Sequence, residues 1–539
     1  MKKNLNTLFR SRFLKSFLLL SFSSLMLFSC GSDSNGGQNQ PFELLEATIA
    51  DIHDAYSSGQ LTSRQLVQLY LDRIEAYDQN GPMINSIITV NPKALEEADQ
   101  LDTTFQSSGF VGPLHGIPII LKDQIDARDM PTTLGSIVLK DYYPDHEAFA
   151  VVKLREAGAI ILAKATLGAW GGGDTHGSLF GSTRNPYDLE RTVGGSSGGP
   201  GGSITANFAT VAVGQEGYAS IRRPSTWNAL VGMRPTAGLV SRSGVYGGWP
   251  SINGSLGPMA RTVTDLATLL EVLVGYDPED PLTARGVGHV PDSYTEFLDK
   301  DGLKGARIGV LHESMNRNSE PDSEDFQKVT EIFERAVGEL KAAGAVIVDP
   351  VVIPDLKELL ATRANGPDGD ASFKRYFGRS ANPPFNTRED VLLAPDFDKL
   401  FPTRKRAFTR PPRDPGEAES RHYQYLMARD ELMTRVLKVM ADHQLDAIVH
   451  KSIEHQPTLI KDGVNPPYVS SKGAPDLNTF LVFVPTITVP AGFSSDQLPA
   501  GISFLGRPYD EGTLIKLAYS YEQATLHRRP PDSTPPLPE

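Results

Sequence analysis

Between Thr192 and Gly202 the chain reads TVGGSSGGPGG, two adjacent serines set in a run of glycines. Several chemistries compete for such a stretch. With nothing to pack, a Gly/Ser-rich run is a flexible spacer. A Walker-type phosphate cradle would need Gly-Lys-Ser/Thr at its end, and a dinucleotide fingerprint would need Gly-x-Gly-x-x-Gly. Neither spacing is present in the stretch, which argues against nucleotides. Gly194-Gly195-Ser196-Ser197-Gly198 does satisfy Gly-x-Ser-x-Gly, the nucleophile elbow, with Ser196 as nucleophile and a downstream acid and histidine as partners. His422, His443, His450, His455 and His527 are the candidates and none stands out, while the preceding NPYDLERT is polar and turn-like where an elbow expects a buried strand. Further upstream, HGIPIILKD puts Lys122 directly after the unbroken apolar run Ile117 to Leu121, the pattern of a strand buried on both faces. A lysine at a strand end ordinarily snorkels to water. Held in an apolar site it loses its proton more readily, because desolvation disfavours the ammonium form.

Taken together in chain order, five blocks resemble the amidase signature family. They are HGIPIILKD, GGSSGGPGG, VAVGQEGYASIRRPSTWNALVGMRPTAGLVSRSGV, GPMARTVTDLATLLEVLVGYDPEDP, and the terminal VPAGF with GISFLGRPYDEGTLIKLAYSYEQATLHRRPP. The resemblance runs from about residue 45 to 530 and is weaker between 355 and 425. It implies that Ser220 is the nucleophile, that Ser196 bridges, held by an unusual cis peptide, and that Lys122 is the base. Ser197 and Arg222 match supporting hydrogen-bonding positions. The implied chemistry suits these residue types. A serine hydroxyl must pass its proton to a base as it attacks a carbonyl, and a second hydroxyl can relay that proton where the lysine does not reach.

The resemblance breaks at one place. The family pattern carries Thr-Asp and then Gly-Gly ahead of the nucleophile, whereas this chain has Gln215-Glu216-Gly217-Tyr218-Ala219. The backbone N–H groups of Gly217, Tyr218 and Ala219 are implied to form the oxyanion hole, where each donor is worth roughly 3 to 4 kcal/mol. Cβ atoms at 218 and 219 restrict torsions that glycine reaches freely. The hole survives in altered form, or Tyr218 narrows the acyl pocket, or catalysis is lost; the second is the expectation.

The elements that must position these groups are those of an α/β fold, expected as one large α/β/α sandwich with a mixed central sheet surrounded by helices. Thr62 with Gln65 forms a capping box ahead of Leu66, Leu69, Tyr70 and Ile74 at helical spacing. Ala148 to Ala163 reads as helix, Gly158, then the strand AIILAK. LKGARIGVL and LDAIVH read as further buried strands with an amphipathic helix from Asp322 to Ala343 between them, and the C-terminal blocks add two strands and a last helix. Residues 355–425 are rich in Pro, Gly, Arg and aromatics with little periodicity, and are expected to be a solvated surface excursion, with a cap over the active site as the alternative. The five cations from Arg404 to Arg413 would suit an anionic substrate, although such runs usually face water.

The first residues belong to another category. Lys2, Lys3, Arg10, Arg12 and Lys15 precede the apolar run Phe17 to Phe28, which is of signal-peptide length. Its end, LMLFSC, resembles a bacterial lipobox with Cys30, the single cysteine, as the lipidated residue. The expected organisation is a lipoprotein signal peptide at 1–29, a polar tether at 30–44, the amidase domain at 45–530 and a Pro-rich tail at 531–539. The mature chain would be exported and anchored by lipid at the cell envelope, periplasmic or on the outer membrane, as a monomer or homodimer. The formal net charge is −13, and loss of the leader takes it to about −18, so a nucleic-acid partner is not expected. No metal or cofactor is expected. The reading is an amidase that hydrolyses a small-molecule or peptide amide through an acyl-serine. An esterase using the same site, and a catalytically silent envelope binding protein, remain as alternatives, while the export signal points away from the tRNA-linked amidotransferases that the family also includes.

Overall fold

The computed structural model describes residues 42–247, 254–316, 319–364, 369–411 and 414–538. The expected leader, Cys30 and most of the 30–44 tether lie outside the described residues. From Phe42 onward the chain forms one compact unit.

Its centre is a mixed 11-stranded sheet surrounded by helices. In spatial order the strands are Ile87–Val90, Ile160–Ala165, Pro118–Lys122, Val211–Glu216, Ser255–Ala260, Val231–Arg234, Thr486–Phe493, Pro499–Leu505, Ala447–Lys451, Arg307–Val310 and Val346–Val348. Pro118–Lys122 lies parallel to both of its neighbours. All five of its residues are buried, as an apolar run in a central parallel strand must be. The parallel pairing needs a crossover, and the helix Phe149–Glu156 supplies it, ending at Ala157 before Gly158 turns the chain at φ 87° into Ile160–Ala165. Thr62 caps the helix Ser63–Ile74 and Gln65 reciprocates, as the sequence pattern requires. In the helix Glu324–Ala342, Phe326, Val329, Phe333, Ala336 and Leu340 fall on one buried face.

This topology fixes where the chemistry can be. Leu121 pairs with Val213, so Lys122 and the Gln215-Glu216 pair emerge at the same edge, the carboxyl ends of two adjacent parallel strands. Loops that carry function gather at such ends. The helix Gly198–Thr205 packs against both strands and delivers the serine-bearing loop to that edge.

The excursion is not the solvated loop its composition suggested. It contains the helices Leu356–Ala361, Gly369–Phe377 and Pro402–Thr409 and the first residues of Pro415–Asp442. Phe373, Tyr376 and Phe377 are buried with Leu134, Leu139 and Tyr142 of the main body, and Tyr376 donates to the buried Asp126 carboxylate at 2.6 Å. Aromatic burial, invisible to a periodicity count over short helices, decides its structure. The Pro-rich tail is likewise tied down: Arg73 donates to the carbonyls of Thr534 and Pro535 at 2.8 Å each.

Candidate active site

The Gly/Ser loop is packed on every side. Gly194 sits at φ 82°, a region that glycine enters without penalty, and a Cβ on Gly199 would run into the Thr166 backbone. Ser196 and Ser197 have no exposed surface. The Gly195–Ser196 peptide bond is cis.

Three residues distant in sequence meet here. The Lys122 amine lies 2.7 Å from Ser196 Oγ and 3.1 Å from the Gln215 carbonyl oxygen. Ser196 Oγ lies 3.0 Å from Ser220 Oγ and 2.9 Å from the Gly171 carbonyl oxygen. Complete burial pushes the Lys122 amine well below its ordinary pKa of 10.5, and the attraction of the Glu216 carboxylate opposes that only in part. A neutral amine can accept a proton from Ser196, which in turn can accept one from Ser220. The elbow reading finds no support: His450 and His455 bond neighbouring carbonyls and His527 bonds Glu339, and among the described residues none of the five candidate histidines bonds Ser196.

Ser197 and Arg222 act on the backbone that holds this group. Ser197 Oγ exchanges hydrogen bonds with the Gln215 backbone at 3.2 Å, and Ser197 N–H donates to the Ser220 carbonyl at 3.0 Å. Glu216 accepts from the N–H groups of Ile221 and Arg222 at 2.9 Å each and from the Arg222 guanidinium. Burial would raise the Glu216 carboxyl, but Arg222 and Arg234 outweigh it and keep it ionised below its usual range. Removing one partner of a buried pair typically costs about 3–5 kcal/mol, so this pair is the anchor of the 217–221 loop.

That loop carries the expected oxyanion donors. The N–H groups of Gly217, Tyr218 and Ala219 have no hydrogen-bond acceptor among the described residues, and these residues line, with Ser220, a cavity of about 490 Å³. Neither Tyr218 nor Ala219 adopts a positive φ, so the departure from Gly-Gly needs no torsion reserved for glycine. Trp170, Tyr246 and Tyr425 form, with Tyr218, the aromatic part of the wall. Among the described residues no group of three or more His, Cys, Asp or Glu is gathered where it could hold a metal.

A sequence model of the family described as Amidase matches residues 65–515. The chain belongs to the amidase signature family. A probable amidase of Arabidopsis thaliana is 31% identical over 538 residues, covering 95% of this chain and 97% of that one. A glutamyl-tRNA(Gln) amidotransferase chain of Microcystis aeruginosa is 31% identical, covering 90% of this chain and 99% of its own. Among solved structures, the native peptide amidase of Stenotrophomonas maltophilia superimposes with a TM-score of 0.76 at 33% identity, over 91% of this chain and 99% of that one. The chain is an amide-hydrolysing enzyme of this family.

Several residues of this amidase carried no sequence signal. Tyr218 OH donates to the Ala474 carbonyl at 2.6 Å and approaches Asp476 at 3.1 Å, and Asn316 donates to the same phenol oxygen at 2.9 Å. The Arg363 guanidinium lies 4.0 Å from the centre of the Tyr218 ring and pairs with Asp476 at 2.6 Å. These partners come from three separate segments, so only the fold brings them together. Gly171, whose carbonyl takes the Ser196 hydroxyl, lies in AWGGG, a stretch that reads as a loop.

Proposed function

We propose that this amidase works through a Ser220 acyl-enzyme with Lys122 as base and Ser196 as relay. The observation that carries the reading is the unbroken contact from a fully buried lysine through Ser196 to Ser220. In the first half-reaction a bond forms between Ser220 Oγ and the amide carbon. The Ser220 proton passes to Ser196 and the Ser196 proton to Lys122. The oxyanion meets the N–H groups of 217–219. As the C–N bond breaks, the proton stored on Lys122 returns along the same path to the departing nitrogen. Water then repeats the sequence against the ester and releases the acid.

The substrate class is a carboxylic amide. Tyr218, fixed by three polar partners and covered by Arg363, is a rigid wall beside the nucleophile, and it limits the bulk that the site accepts on that side. The test is a panel of amides of increasing acyl bulk, each with its matched ester, read by released ammonia, amine or alcohol. Wild type hydrolyses amides and favours compact members; Tyr218→Gly shifts kcat/KM toward bulky ones by about tenfold or more, the scale of a hydrophobic pocket's discrimination. Turnover of esters alone would contradict the amide assignment, and an unchanged ranking in Tyr218→Gly would contradict the wall.

Export and a lipid anchor on Cys30 complete the proposal, supported by the basic N-terminus, the apolar run and LMLFSC. Among the described residues no helix is long and apolar enough to cross a membrane. Full-length protein expressed in a bacterial host is expected in the membrane fraction and Cys30→Ser in the soluble fraction; identical fractionation of the two would contradict the anchor.

A further inference from the structure

The stretch Gly168–Gly173, four of whose six residues are glycine, wraps the relay serine. Gly168 N–H donates to the Ser196 carbonyl at 3.0 Å and Gly172 N–H to the Gly168 carbonyl at 3.1 Å. Trp170, Gly171 and Gly173 all have positive φ, at 57°, 76° and 77°. A glycine-rich backbone like this has many conformations to lose and few contacts to hold it. Trp170 pins one point, its N–H on the Leu134 carbonyl at 2.9 Å and its ring against Tyr246, Phe373 and Phe408. The glycines after it are held by donors on three successive carbonyls: Ser196 Oγ on Gly171 at 2.9 Å, the Arg404 guanidinium on Gly172, and Arg223 on Gly173 at 3.3 Å.

Two of these donors belong to the serine loop and the nucleophile region. Arg404 does not. It comes from the helix Pro402–Thr409 in the excursion. The same helix places Phe408 edge-on against Trp170, with ring centres 4.9 Å apart. Its neighbour Arg406 points elsewhere, toward the Tyr468 ring.

We infer that Arg404 is a positioning residue for catalysis: by holding the Gly172 carbonyl it fixes the adjoining Gly171 carbonyl, and through it the orientation of the Ser196 hydroxyl between Lys122 and Ser220. Ser196 has one proton and three neighbours within hydrogen-bond distance, at 2.7, 2.9 and 3.0 Å. The direction in which that hydroxyl points decides whether the relay is connected. Displacements of about 1 Å remote from the reacting atoms can cost about 100-fold in rate. Arg404 touches the backbone of the cavity wall and acts on chemistry through it, so its loss reduces kcat and leaves KM in place. This inference rests on Ser196 being the relay.

The experiment compares wild type with Arg404→Met, Arg404→Lys and Arg406→Met, by steady-state kinetics on one amide and by crystal structures of wild type and Arg404→Met. Arg404→Met is expected to lower kcat about tenfold or more with KM within twofold and melting unchanged within a few degrees. Arg404→Lys, which keeps a donor, recovers most of the loss, and Arg406→Met behaves as wild type. In the crystal of Arg404→Met the Gly171 oxygen leaves hydrogen-bond range of Ser196 Oγ. A rise in KM at constant kcat, equal losses in Arg404→Met and Arg406→Met, or an unmoved Gly171 carbonyl would overturn the inference. If wild type hydrolysed no amide, the proposed function would fall, and the position of the Gly171 carbonyl would still decide whether Arg404 holds it.

Discussion

Lys122→Met lowers kcat for amide hydrolysis by about 1,000- to 10,000-fold, the range of a lost general base, while the protein folds and KM changes little. Methionine is chosen because its unbranched side chain is close to lysine in size, so a defect is chemical and not a cavity. The pH dependence carries the sign. In the proposed mechanism the active form is the neutral amine, so wild-type kcat is expected to fall as pH drops through the lowered pKa of Lys122, and the residual rate of Lys122→Met to lack that acidic limb. Stability moves in step. Between the folded pKa, well below 10.5, and the unfolded value of 10.5, the folded chain binds one proton fewer than the unfolded chain. Wild type therefore gains stability relative to Lys122→Met as pH rises through that window and loses it as pH falls. Urea denaturation of both proteins across the window measures the difference; two parallel curves would show that burial does not depress the amine.

Replacing the serines one at a time separates their roles. Ser220→Ala removes the proposed nucleophile and is expected to lower kcat by about 100,000-fold or more. Ser196→Ala interrupts the proposed relay but leaves Ser220, the N–H groups of 217–219 and the amine in place, so it is expected to cost less, about 100- to 10,000-fold. The double variant is expected to be no slower than Ser220→Ala alone, because residues that act as one unit lose their contribution together. Single-turnover rates on an activated amide resolve all three proteins. Equal, independent losses that multiply in the double variant would mean that the two hydroxyls do not share a proton path.

How much of this is legible in the sequence depends on what kind of interaction places each residue. Local patterns are legible: Thr62 and Gln65 announce their helix, and an apolar run from Ile117 announces a central strand with Lys122 at its end. The strand Ser255–Ala260 is not, because SLGPMA contains a glycine and a proline, which both disfavour a strand interior, and it is extended through pairing with Val211–Glu216. The excursion defeats pattern reading for a related reason. Phe373, Tyr376 and Phe377 are spaced for one helix face, but the helix is short and its partners Leu134 and Tyr142 lie far away in sequence. Arg404 looks like one cation in a solvated run, and its contact with Gly172 depends on that helix being docked. At Tyr218 the sequence raises the right question and leaves its answer to geometry: the loop has no positive φ at 218 or 219, the phenol oxygen is engaged from two segments, and Arg363 covers the ring from a third.

In the proposed mechanism Ser220, with its proton drawn off through Ser196 to an uncharged Lys122, supplies the oxygen that bonds to the acyl carbon. Its most direct test is to trap that bond: wild type mixed with a slow amide substrate, quenched in acid within one turnover, digested and mapped by tandem mass spectrometry. On this mechanism a substrate-derived acyl mass is expected on the peptide containing Ser220, localised to that residue and absent in Lys122→Met over the same interval. An acyl mass on Ser196, or amide turnover with no acylated serine at any time point, would contradict it.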